Sequence, residues 1–107
     1  MESRELERVE SLLKELLEII RKEGGSDQSY AAGELERCVE MIERARDDQT
    51  VDRKEVFARV RESYKSMFPP RGGLTDFFVW REDFNERLVA NRRLDAVKAE
   101  LDDEFGV

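Results

Sequence analysis

The chain has 107 residues, with 19 Lys/Arg against 26 Asp/Glu, a formal net charge of −7, one cysteine and no histidine. Such a length suffices for one hydrophobic core without a disulfide or a metal but not for two, so a single helical domain over residues 1–107 is expected. The missing histidine excludes Ser-His-Asp and Cys-His pairs, His acid–base catalysis and Cys/His zinc sites within one chain, and the lone Cys38 excludes an internal disulfide.

Charged residues make up 42% of the chain, yet they alternate with Leu, Ile and Val at regular spacing, which favours amphipathic helices over a disordered polyelectrolyte. The start, "MESRELERVE", has no hydrophobic segment, and no apolar run exceeds four residues. Neither a signal peptide nor a membrane span is expected, and a cytoplasmic location follows.

A first helix is expected from about Ser3 to Glu23. Its apolar positions Leu6, Val9, Leu13, Leu16 and Ile20 follow 3-4-3-4 spacing, and Leu12, Leu17 and Ile19 widen the stripe. So broad a face calls for cover by the other helices or by a second copy of the chain. Gly24-Gly25 should end the helix as a left-handed cap.

The second helix should start near Ser26 or Asp27, both good N-caps, and bury Ala31, Leu35, Cys38, Ile42 and Ala45, with Val39 and Met41 alongside. After the polar link "DDQT", Asp52-Arg53-Lys54-Glu55 resembles a capping box opening a third helix. That helix presents Val56, Phe57, Val60, Tyr64, Met67 and Phe68 and stops at Pro69-Pro70.

Within the next stretch, "MFPPRGGLTDFFVW", the part after Gly73, "TDFFVW", is read as a helical turn or irregular corner, with a short extended piece as the alternative. A last helix should begin at about Asp83, with Glu86 completing a second capping box and Leu88, Leu94, Val97, Leu101 and Phe105 pointing inward. Leu88 and Leu94 are out of phase, which predicts a break near Asn91. Short loops between amphipathic blocks give an all-α fold: a four-helix, mostly antiparallel bundle with an aromatic Pro/Gly corner before the last helix.

Charge is unevenly spread, at +3 over residues 51–71 and −10 over the remainder. The basic stripe Arg53, Lys54, Arg59, Arg61, Lys65 and Arg71 reads as a solvated face, and the overall acidity opposes nucleic-acid binding. Acidity suits solubility or a basic protein partner, of which an inhibitor meeting a basic nuclease toxin is one case.

Three constellations raise the question of chemistry. Glu36, Glu40 and Glu43, and likewise Asp102, Asp103 and Glu104, could hold a hard cation but match no metal motif, and solvated acidic faces are the simpler reading. Arg71-Gly72-Gly73 could form an anion nest, against which Asp76 would act. Cys38 lies in the apolar phase of its helix, as a buried small hydrophobe would.

The aromatic corner carries two readings. Phe77, Phe78, Trp80 and Phe84 could close the open end of the bundle as core. Alternatively Trp80 and Arg71, with Arg81 nearby, stay partly exposed as an interface anchor, since Trp and Arg are enriched at binding hot spots.

The run "PRGGLTDFFVW", Pro70 to Trp80, followed by Asn91 and Leu94-Asp95, resembles the C-terminal part of small bacterial proteins of unassigned function. In these a Gly-Gly-hydrophobic turn precedes a short apolar stretch and a closing helix, and the likeness spans about residues 64–105. Some are suspected members of toxin-immunity or phage-defence gene sets, which implies a protein partner and no catalysis; the resemblance carries over no site residues.

The expectation is therefore a non-enzymatic, acidic protein-binding module without cofactor or metal, immunity or antitoxin-like, whose partner-binding residues are Arg71, Phe77, Trp80, Arg81 and Phe84. A basic protein partner is expected, with neither nucleic acid nor membrane. The alternatives are a structural homo-oligomer, with a homodimer as its simplest form, and a small carboxylate- and metal-dependent enzyme.

Overall fold

The structure is a computed structural model that describes residues 3–107. Among these residues there are four α-helices and no strand: α1 (Ser3–Glu23), α2 (Ser29–Asp47), α3 (Arg53–Ser66) and α4 (Phe84–Phe105). They form a bundle measuring 49 × 22 × 22 Å.

Side-chain pairs fix the directions of the helices. Between α1 and α2, Glu10 meets Arg46 while Arg21 meets Glu36. Between α1 and α4, Arg8 meets Glu104 while Glu15 meets Arg93. Glu34 of α2 accepts from Ser63 of α3, and Tyr30 lies against Ser66. Tyr64 of α3 donates to Asp102 of α4, and the Phe57 ring meets that of Phe105. In each pair of neighbouring helices the numbers rise on one partner as they fall on the other, so the arrangement is antiparallel throughout.

The broad stripe of α1 is covered within the chain. Leu6, Val9, Leu13, Leu16 and Ile20 are buried together with the flanking Leu12, Leu17 and Ile19, since α1 packs on both α2 and α4. Each such side chain contributes about 1.5–3 kcal/mol relative to an exposed one. Glu10 is buried among them because Arg46 and Lys14 reach over it from the helix surfaces.

Four local expectations need correction. Gly24 ends α1 without a left-handed backbone, for among the described residues only Gly72, Gly73 and Gly106 have positive φ. Glycine is needed at position 24 for space, since a Cβ would stand 2.7 Å from the Ile20 carbonyl oxygen. Helix α2 starts at Ser29, after a 3₁₀ turn over Ser26–Gln28, and no side chain caps either start; the Asp27 side chain lies outside the described residues.

The other two concern α4, which runs unbroken through Asn91, with Leu88 facing outward at 41% exposure. The apparent phase slip arises because Leu88 belongs to the opposite face from Leu94, Val97, Leu101 and Phe105. The remaining helix ends follow the local chemistry: Asp52 caps α3 by accepting from Lys54 and Glu55, and Asp83 caps α4 by accepting from Glu86.

Helix lengths position the corner. At ~1.5 Å per residue, α3 spans roughly 21 Å and α4 roughly 33 Å. Helix α3 therefore covers only the C-terminal part of α4, where Tyr64, Arg61 and Phe57 touch residues 98–105. The connection from Met67 to Asp83 supplies the missing length on the other part, through the buried side chains of Met67, Leu74 and Val79.

Candidate interaction surface

The connection is built as a tight reversal followed by an extended run. Leu74 N–H donates to the Met67 carbonyl (2.8 Å) and the Thr75 hydroxyl to the Pro69 carbonyl (2.6 Å), which folds the chain back over Pro69-Pro70. Gly73 sits at the crossing with φ +54°, where a Cβ would meet Met67 O at 2.7 Å and Pro69 Cδ at 2.9 Å. Only glycine fits both the conformation and the gap. Gln28 ties the reversal to the start of α2 by donating to the Gly73 carbonyl (3.2 Å).

The Arg71-Gly72-Gly73 nest is filled from within. Asp76 Oδ2 accepts the Gly72 N–H at 2.6 Å, so a carboxylate of the chain occupies the place of an external anion. Arg71 itself is exposed.

Between Phe77 and Asp83 the chain has no helical structure, and the side chains of Phe77 to Trp80 alternate as in a strand. Phe77 is half-buried against the core and Val79 is buried, whereas Phe78 and Trp80 are 60% and 61% exposed. The Asn91 side chain holds this alternation in place, accepting from Val79 N–H and donating to its carbonyl, both at 2.8 Å. Asn91 also donates back to Arg87 O within its own helix.

Arg81 locks the end of the extended run to α1 through a two-pronged ion pair with Glu23, including Nη2 to Oε1 at 2.5 Å. The guanidinium holds the Glu23 carboxyl below the usual carboxylate range, chiefly by hydrogen bonding, and is itself pushed up by the carboxylate. This residue thus orients the corner from its inner side.

Outside, Arg87 takes the central place. Its guanidinium carbon lies 4.5 Å from the Trp80 ring centroid and 5.5 Å from that of Phe84, and Nη1 donates to the Arg81 carbonyl at 3.3 Å. Stacking of this kind contributes about 0.5–1 kcal/mol at exposed sites. Phe84 is 60% exposed and begins α4, with exposed Leu88 one turn on. Trp80 and Phe84 with Arg87 between them make an apolar surface with a cation in its middle, and the exposed Phe78 and Leu88 follow on the same two segments. Glu82, Asp83 and Glu86, none in a salt bridge among the described residues, border it.

Of the five residues expected to bind a partner, Trp80 and Phe84 are exposed side by side and Arg71 is exposed nearer the reversal. Phe77 packs inward, and Arg81 is committed to Glu23. Arg87 was missed at the sequence level, although its place three residues after Phe84 on a helix was a usable signal.

The other candidate clusters resolve into surface pairs. Glu36, Glu40 and Glu43 meet Arg21, Arg44 and Lys14, while Asp102 accepts from Tyr64 and Glu104 from Arg8. Among the described residues no group of three Cys, Asp or Glu is disposed around a common metal position. In the basic stripe, Arg59 pairs with Glu55, and Arg61 and Lys65 pair with Glu62. Cys38 is fully buried, and desolvation pushes its thiol up, away from the reactive thiolate. Among the described residues no helix is long and apolar enough to cross a membrane.

Comparison with known proteins adds no relative: the chain matches no family model, no curated protein and no solved structure.

Proposed function

We propose that this chain is a non-enzymatic, cytoplasmic protein-binding module of the immunity or antitoxin type, which engages a basic protein partner through its aromatic corner. One observation carries the reading: Trp80 and Phe84, the two large aromatics flanking Arg87, stand about three-fifths exposed. Leaving such side chains in water forgoes burial that a core would have gained, and Trp and Arg are the types that dominate binding energy at interfaces. The acidic border and the net charge of −7 favour cations on the partner and faster encounter with it.

The test is affinity capture from the native host's lysate with wild type, Trp80→Ala and Arg71→Ala, read by mass spectrometry. A stoichiometric basic protein held by wild type and lost with Trp80→Ala is the expected result. Equal retention of every captured protein by all three forms would remove the corner as the site.

A further inference from the structure

Helix α4 has a second face that the bundle does not use. One flank pairs with α1 through Arg93, Glu100 and Glu104, and the other meets α3 through Lys98, Asp102 and Phe105. Between those flanks, on the side away from the core, Leu88, Arg92, Asp95 and Ala99 are all exposed. Their spacing is 4-3-4, the interval that keeps residues on one seam of a paired helix. Read from the other end, the order is complementary to itself: small apolar falls opposite large, and negative opposite positive.

Two features show that the seam is unfinished. Arg92 and Asp95 stand one turn apart with opposite charge, yet neither makes an ion pair or hydrogen bond among the described residues. Next to them, Leu88, Val89, Ala96 and Ala99 give this face an apolar character that a fully solvated helix face does not need.

We propose that this face pairs with the same face of a second copy, antiparallel, about a two-fold axis midway between Arg92 and Asp95. In that register Arg92 of each copy meets Asp95 of the other, and Leu88 of each fills the hollow over Ala99 of the other. Self-complementarity of this kind is what an isologous interface requires. The charge order along the seam selects a second copy over a uniformly basic segment, which would face Arg92 with a like charge. The seam is only about three turns long and small by the standard of permanent interfaces, so the dimer is weak and concentration-dependent. The inference goes beyond the partner reading, because Phe78 and Trp80 are carried by the connection and stay outside the seam, which meets the corner only at Leu88.

Sedimentation equilibrium of the full chain, from low micromolar to near-millimolar, tests this. Wild type should move from one chain mass to two. Leu88→Asp, Arg92→Asp and Asp95→Arg should each remain monomeric, and the double exchange Arg92→Asp/Asp95→Arg should dimerise again. Mixing the two single charge variants should give a heterodimer, since each supplies the charge the other lacks; circular dichroism checks that each variant is folded. A wild type that stays monomeric throughout, or a dimer indifferent to these substitutions, overturns the proposal. So does capture of a different protein that is lost with Arg92→Asp but kept by Trp80→Ala while wild type alone is monomeric. Failure here leaves the Trp80-dependent capture untouched, and the reverse holds equally.

Discussion

Asn91 pairs with Val79 as one strand residue would pair with another, donating to its carbonyl and accepting from its N–H at 2.8 Å each. A single side chain on α4 thus satisfies both backbone groups of the residue that anchors the extended run. Because Val79 is buried between exposed Phe78 and Trp80, this pairing also decides which aromatics face water.

Replacing Asn91 with Ala should therefore destabilise the fold by about 2 kcal/mol, the usual cost of leaving buried backbone groups unpaired. Asn91→Asp should be no better, because its carboxylate would face the Val79 and Arg87 carbonyl oxygens that now accept from Nδ2. Urea unfolding of the three proteins reads this directly; losses below ~0.5 kcal/mol for both variants would contradict it.

Glycine substitutions should separate need from tolerance. Gly73→Ala places a methyl group against Met67 O and Pro69 Cδ at a positive φ, so a loss of about 1–3 kcal/mol is expected. Gly25→Ala meets nothing within 4 Å, and with φ −95° its backbone suits any residue. This change should be neutral or stabilise by about 0.4–1 kcal/mol through the unfolded chain. Thermal melts showing the opposite order would exclude the crossing geometry at Gly73.

Acid should loosen the corner. The Glu23 carboxyl is held below its ordinary value of 4.5 by Arg81, and that of Glu34 by Arg37 with help from Ser63. A depressed folded-state value means these groups stabilise the protein fully above the unfolded value. The contribution is lost as pH falls from about 4.5 through the lower folded values. Glu23→Gln should lower stability at neutral pH and flatten the decline below that point. An unchanged pH profile of unfolding in this variant would show that the Arg81 pair contributes nothing measurable.

Trp80 is the only tryptophan, which makes its exposure easy to test. Its emission in the native protein should lie close to that of the unfolded chain, and acrylamide should quench both readily. Trp80→Ala should cost no more than about 1 kcal/mol, the worth of its stacking on Arg87. Strongly blue-shifted native emission, or a loss of several kcal/mol on truncation, would return the ring to the core.

Much of the fold was legible because it is local. The apolar stripes of α1 and α2, the caps at Asp52 and Asp83 and the stop at Pro69-Pro70 depend on residues within a turn or two of each other. Such signals survive in a linear reading. The break expected at Asn91 has the complementary cause: Leu88 lies on the face opposite Leu94, and an exposed leucine reads like an inward one until the packing of α4 is known.

What the sequence by itself determined is the helix count, most helix ends, the absence of histidine chemistry and the presence of an aromatic corner. Only the tertiary structure decided how that corner divides, with Phe77 and Val79 inward, Phe78 outward, and Trp80 and Phe84 outward on either side of Arg87. The reason is physical. Burial depends on which neighbour covers a side chain, and that is set by Asn91 twelve residues from Val79 and by Glu23 fifty-eight residues from Arg81.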